Sequence, residues 1–316
     1  MKLLLCRDMR LGAICTANLN AEKAQAWNIA RYRKFEHLLH TATKDDVGYV
    51  ILFGRLFGSK LVSGEYIDAI SNLISRETNI QVITCLTEED SHRIASASNT
   101  PENLHVLWPS SGGQYEDEKI CVSQDEEEIY IEAKAEKNRM TVNRENYRIN
   151  GSADRVPSFE PCGYEDAAKD TFGYMITRIT EKEIRNDLRP ETTYAFRFLK
   201  MTITPNETES EIIGRAGKLV SANDTDTFVR LVLNGTTGIG VEIDTRRISN
   251  ELMQYVFFIE VLDESRIDLS DYKPDTDISL ANEFVRLAMN DLTLSEADRS
   301  TVIRNGWNAL SNGEEK

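Results

Sequence analysis

Through residue 108, short runs that are apolar at nearly every position alternate with longer stretches whose apolar residues recur every three or four positions. The first pattern predicts strands buried on both faces, and the second predicts amphipathic helices. Residues 3–6 (LLLC), 48–54 (GYVILFG), 80–86 (IQVITCL) and 104–108 (LHVLW) are the predicted strands. Between the first two, residues 21–43 place Trp27, Ala30, Phe35, Leu38 and Leu39 at helical intervals. Residues 64–77 do the same with Tyr66, Ile67, Ile70, Leu73 and Ile74. Strands alternating with helices imply βαβ units and a largely parallel sheet.

The pattern then changes. Residues 109–171 are rich in Gly, Ser, Asp and Glu, with SSGGQYEDE and QDEEE reading as turns or solvated segments. Within them, 119–123, 128–135 and 140–149 alternate with period two, as antiparallel strands do. GYMITRIT (173–180) is predicted to be the strand that closes this first domain. A second unit starts near Arg189: a strand at 192–205, a helix at 210–222, a strand with a turn at 228–240, a helix at 248–255 and a strand at 256–265. The glycine-containing NGTTGIG (234–240) lacks the lysine of a phosphate loop and reads as a hairpin turn. Helices over 280–292 and 295–310 end the chain, the last opened by Ser295 with Asp298 at capping-box spacing. Phe257 and Phe258 are expected in a core, while Trp307 and Leu310 suit either a lid or a docking face.

Composition narrows the function classes. With 41% hydrophobic and 28% charged residues the chain has the make-up of a soluble globular protein, and no run approaches the ~20 apolar residues of a membrane span. The apolar start is cut short by Arg7, Asp8 and Arg10, too soon for a secretory segment, so a cytoplasmic location is expected. Five scattered cysteines without a CxxC pair exclude a disulfide framework and a zinc ribbon. Cys6 and Cys85 lie inside apolar runs and are expected to be buried and inert. The formal net charge is −15, which repels a phosphate backbone, so DNA binding by this chain alone is not expected.

Three stretches carry the chemistry. Residues 3–12 read LLLCRDMRLG, 51–59 read ILFGRLFGS and 80–90 read IQVITCLTEED. In order and spacing they resemble the first half of calcineurin-type metallophosphoesterases, most closely the nuclease subunits of SbcCD-type DNA-repair complexes. The corresponding family stretches end in Asp-x-His-Leu-Gly, Gly-Asp-Leu-Phe-Asp-Ser and Gly-Asn-His-Asp. Asp8, Leu11-Gly12 and Leu56-Phe57 match, but Arg10, Arg55 and the pair Glu88-Glu89 stand where the family has metal ligands. Over 173–316 the resemblance rests on the order of elements and on IRNGWNAL (303–310). It implies an α/β fold: a shortened αββα sandwich domain over 1–182, a small α+β capping domain over 189–270, and a C-terminal helical segment over 278–316.

A two-metal phosphoesterase clamps phosphate between ions ~3.5–4 Å apart, held by carboxylates and neutral imidazoles. A guanidinium cannot serve as a ligand and repels the ions. Only His37, His40, His92 and His105 are present, and none follows His105, whereas the family's second half supplies three histidines. The degenerate site therefore comprises Asp8, Arg10, Arg55, Glu88, Glu89 and Asp90, with the arginines expected to pair with Asp8 or the three acids. No metal cofactor is expected. Two alternatives stay open: a rebuilt Mn²⁺ or Mg²⁺ site from Asp8, Glu88, Glu89, Asp90 and His92, or an anion held by Arg10 and Arg55. The resemblance implies a homodimer, or a coiled-coil ATPase partner that this chain serves as a catalytically inactive scaffold or regulator.

Overall fold

The four apolar runs of the first half are strands lying side by side. In the computed structural model, which describes residues 1–59, 61–239, 241–269 and 279–311, the chain is mixed α/β. Residue 240 of NGTTGIG, residue 270 of the expected capping domain, and residues 278 and 312–316 of the expected C-terminal segment lie outside the described residues. Contacts divide the chain into a unit of residues 1–193 and a unit of residues 194–316.

In the first unit, β1 (Lys2–Arg7), β2 (Tyr49–Gly54), β3 (Gln81–Leu86) and β4 (Leu104–Val106) are adjacent and parallel. Leu5, Ile51 and Ile83 share one row of the register. The crossovers are α1 (Ala21–Lys44), α2 (Gly64–Arg76) and α3 (Glu88–Ala95). Each begins at a polar cap, Asn20, Ser63 and Thr87, whose side chain accepts from a first-turn N–H. All three helices cover one face of the sheet, where Phe35, Leu38, Ile70, Leu73 and Ile94 pack on Leu4, Val50 and Val82.

The other face meets a second, antiparallel sheet. It is a meander of β5 (Gln114–Glu116), β6 (Ile120–Gln124), β7 (Glu128–Ala133) and β8 (Asn138–Asn143). Its inward residues Val122, Ile131 and Met140 pack on Leu3, Leu5, Ile51 and Ile83, which is why the first-sheet strands are apolar at every position. After a short helix α4 (Tyr164–Lys169), β9 (Gly173–Ile179) returns antiparallel to β1, and β10 (Ile184–Pro190) pairs with β9 at the sheet edge. The expected boundary between 182 and 189 thus cuts through a strand of the first sheet. Outward residues of the meander, such as Ser123, Tyr130, Glu132 and Thr141, are half-buried or exposed. Within the first unit the described residues layer as helix, sheet, sheet, one fewer than the expected αββα order.

Asp117 ties the two sheets together. It accepts from Tyr49 Oη of β2 at 2.7 Å, Tyr115 Oη of β5 at 2.9 Å, and the N–H groups of Lys119 and Ile120 at 2.7 and 2.9 Å. Burial opposes its charge, but these donors outweigh it and hold the carboxyl below its ordinary 3.8. Its stabilisation is therefore complete above that value and fades as pH falls through the lowered one. Asp117→Asn is expected to cost about 1 kcal/mol at neutral pH, a figure reduced for solvent screening. The deficit closes in acid, read by urea unfolding of both proteins at neutral pH and below pH ~3.8.

The second unit is built on three parallel strands, β11 (Ala195–Ile203), β12 (Thr227–Thr237) and β13 (Phe258–Asp263). Their crossovers are α5 (Glu209–Val220), opened by a complete Thr208–Glu211 capping box, and α6 (Thr245–Leu252). Both helices pack on one face through Ile212, Ala216, Ile248 and Leu252. Residues 234–237 do not turn as expected; they continue β12, Asn234 and Gly235 pairing with β11 and Thr236 and Thr237 with β14 (Arg266–Ile267). Against this extension lie α7 (Leu280–Asn290) and α8 (Glu296–Ser311), with Ile267, Val285, Ala288 and Ile303 buried and Trp307 packed on them. Phe257 and Phe258, expected in a core, are half-buried and both contact the fully buried Phe228.

Candidate functional site

The three motif loops leave the C-terminal ends of β1, β2 and β3, the edge of a parallel sheet where ligands of open α/β proteins bind. The first two loops zip together. Asp8 N donates to Phe53 O at 3.0 Å, Arg10 N to Arg55 O at 3.2 Å, Leu11 N to Leu56 O at 2.8 Å, and Gly58 N to Leu11 O at 3.0 Å. Asp8 and Arg10 both have left-handed backbone, with φ of 50° and 45°, a conformation that costs a residue with a Cβ on the order of 1 kcal/mol. Gly54 has φ 72°, and a Cβ there would stand 2.6 Å from Asp8 Oδ1 and 2.8 Å from Tyr147 Oη. The close approach that positions Asp8 thus needs glycine at this place.

The Asp8 carboxylate is committed at both oxygens. Oδ2 accepts from Arg7 Nη1 at 2.7 Å, and Oδ1 accepts from Arg55 N at 3.1 Å. Arg7 also donates through Nε to Val156 O at 2.8 Å and through Nη2 to Asp170, which accepts from Ser158 Oγ at 2.7 Å as well. Its guanidinium lies 4.9 Å from the Tyr147 ring centre. Burial, with Asp8 adding to it, pushes the Tyr147 phenol above its ordinary value.

The remaining expected site residues do not converge on Asp8. Asp90, 4% exposed, caps the second loop by accepting from Leu56 N at 2.9 Å and Phe57 N at 3.4 Å. Burial raises its pKa even so. Glu88 accepts from Ser110 Oγ at 2.8 Å and Ser110 N at 3.3 Å, and Glu89 pairs with Arg93 at 2.8 Å. His92 lies 3.7 Å from Glu88 and edge-on to Trp108 at 4.7 Å. The expected pairing of Arg10 and Arg55 with these acids is replaced by another. Arg10 Nη1 pairs with Asp166 at 2.9 Å, while the Arg55 guanidinium is exposed and makes no hydrogen bond or ion pair among the described residues. Burial disfavours the Arg10 charge, but Cys162, Asp8 and Asp166 outweigh it and raise its pKa, so it stays a cation.

The partners of Arg7 and Arg10 come from residues 155–172, far along the chain. With the β1 end they form a crevice of about 130 Å³, lined by Arg7, Asp8, Arg10, Arg155, Ser158, Glu160, Asp166, Lys169, Asp170 and Phe172. Two buried cations of α1 hold that segment in place. Arg31 donates to Pro161 O at 3.1 Å and Met9 O at 2.8 Å, and Lys34 to Glu160 Oε1 at 2.7 Å and Glu191 O at 2.6 Å. Sequence reading missed Arg31, Lys34, Glu160, Asp166 and Asp170. One signal was available: Arg31 and Lys34 fall on the same helical stripe as Trp27, Phe35 and Leu38, and Glu160 is the one charged residue of VPSFEPC.

A pair of divalent ions does not fit these residues. Such ions need several free carboxylates or imidazoles, but both Asp8 oxygens already accept hydrogen bonds and three guanidinium groups line the crevice. Among the described residues no three His, Cys, Asp or Glu side chains gather as a ligand set, and Glu88, Asp90 and His92 point to other tasks. The five cysteines are free, with Cys85 pushed up to about 12 by burial. No helix among the described residues is long and apolar enough to cross a membrane. No family model matches this chain, and no curated protein matches it either.

Proposed function

We propose that this chain is a catalytically inactive relative of the DNA-repair exonuclease subunits that its first three motifs resemble, acting through binding rather than hydrolysis. The observation that carries this reading is the state of Asp8. The one acid retained at a family ligand position has both oxygens engaged, by Arg7 and by the Arg55 amide. Ion pairs between Arg7, Asp8 and Asp170 and between Arg10 and Asp166 do the work that bridging ions would do in an active site, fixing the loops to one another. In this reading the preserved fold is a scaffold or regulator, in a homodimer or with a coiled-coil ATPase. The net charge of −15 favours a protein partner over direct contact with DNA.

The test is hydrolysis of a generic phosphodiester in the presence of Mn²⁺, by wild type and Asp8→Ala in parallel. Neither is expected to turn over substrate. Turnover by wild type that Asp8→Ala abolishes would falsify the inactive reading and favour a rebuilt metal site.

A further inference from the structure

We infer that Cys162 is a site of oxidation by peroxides, and that Cys15 resolves the oxidised sulfur into a reversible disulfide between two loops. This goes beyond the scaffold reading and does not rest on it. Three observations on the pair combine.

The first is separation. Cys15 lies in the loop between β1 and α1, and Cys162 just before α4. Thr16 N donates to Cys162 O at 3.0 Å, and Thr16 Oγ1 donates to the same oxygen at 3.4 Å. In a trans peptide the N–H lies alongside the preceding α-carbon. The Thr16 bond therefore sets the α-carbons of Cys15 and Cys162 roughly 4–6 Å apart, the span that a disulfide bridges. A Cβ on Gly163 would collide with Thr16 Oγ1, so the two loops meet without a gap. The thiols sense one another too. Burial, with Cys162 adding to it against a backbone hydrogen bond at Ala17, pushes the Cys15 thiol up.

The second is the cation beside Cys162. Burial disfavours the Arg10 charge, and Cys162 is the group that most favours it, ahead of Asp8 and Asp166. Asp166 braces the same corner by accepting from Arg10 Nη1 at 2.9 Å and from Cys162 N at 3.3 Å. Cysteines in electropositive, partly open places are the reactive ones. The third is that opening. Cys15 and Cys162 keep 8% and 6% exposure beside the exposed Ile14 and Thr16, whereas Cys6 and Cys85 keep 0% and 3% inside strands. The Cys162 sulfur takes one oxygen of hydrogen peroxide as the O–O bond breaks, giving a sulfenic acid and water. The Cys15 sulfur then displaces the hydroxyl: an S–S bond forms, the S–O bond breaks, and the hydroxyl leaves with the Cys15 proton as a second water. Each sulfur loses one electron and the peroxide gains two. The bond ties the first motif loop to the segment that carries Asp166 and Asp170, and where thiols are kept reduced it lasts only while oxidant is present.

The experiment treats the full chain with hydrogen peroxide, alkylates the remaining thiols and maps the cysteines by peptide mass spectrometry. Wild type is expected to give a Cys15–Cys162 link within one chain, lost on addition of dithiothreitol. Cys162→Ser should form no link. Cys15→Ser should instead accumulate a sulfenic acid at Cys162, trapped by dimedone. Arg10→Ala should slow link formation several-fold at neutral pH and converge with wild type in alkali, where any thiol is ionised. No link in folded wild type, a link only between chains or between other cysteines, sulfenic acid on Cys15 but not on Cys162, or an Arg10→Ala rate equal to wild type overturns the proposal. Should Arg10→Ala not fold, the two serine variants still decide. Thiol oxidation and diester hydrolysis are read separately, so either proposal can fail while the other stands.

Discussion

Lys34→Met is expected to destabilise the first unit by about 3–5 kcal/mol, seen as a fall in the denaturant midpoint with unchanged slope. Lys34 is 7% exposed and Glu160 2%, and the ammonium also donates to Phe159 O at 3.3 Å and Glu191 O at 2.6 Å. Methionine keeps the apolar stem out to Cε and removes the ammonium, which lies 5.1 Å from the Phe159 ring centre. What it removes is the countercharge, leaving a carboxylate in a site that water does not reach. The double variant Lys34→Met with Glu160→Gln should recover more than half of the loss, because neither charge is then stranded. A double-mutant cycle measures this coupling directly. Additive losses would show that the two charges are independently solvated and that the pair does not hold the 157–163 segment to α1.

Phe228→Ala is the second large effect, again about 3–5 kcal/mol by the usual cost of emptying an aromatic site. Phe228 is fully buried on the central strand of the second unit. Its ring stacks on Phe196 at 4.6 Å with 16° between planes, and Tyr194, Phe257 and Phe258 surround it at 5.4, 5.0 and 5.9 Å. Four aromatic neighbours cannot all collapse into the space left behind, so most of the cavity persists. Phe198, two positions on from Phe196 and 50% exposed, is the control; its alanine variant should lose no more than about 1 kcal/mol. Equal losses at the two positions, in thermal and denaturant unfolding, would show that the cluster is not the core of this unit.

Much of the architecture was legible because burial on two faces and burial on one leave different patterns. The all-apolar runs at 3–6, 48–54 and 80–86 could only be interior strands, and the three-to-four spacing in 21–43 and 64–77 only helices. The period-two stretches at 119–123 and 128–135 gave away a sheet with one wet face. Less legible was β10, whose residues are mostly exposed at a sheet edge and so carry no apolar signature. The composition of residues 234–237 likewise suggests a turn, although strand pairing with β11 and β14 keeps them extended. Local preference yielded there to a tertiary hydrogen-bond ladder.

The sequence by itself determined the alternation of strands and helices through β4, the strand-end position of the three motif loops, and the arginines at positions 10 and 55 within them. These follow from periodicity and from residue identity, which are properties of short stretches. Which charges meet was decided only by the tertiary structure. Arg10 pairs with Asp166 and Arg7 with Asp170, across separations of 156 and 163 residues, while Glu88, Glu89 and Asp90, adjacent in sequence, go to three different partners. Hydrophobic pattern fixes an element's face against the core, because burial scales with area and has no direction. Ion pairs and hydrogen bonds act over a few ångströms at set angles, so their partners exist only once the chain has brought distant segments to the same edge of the sheet.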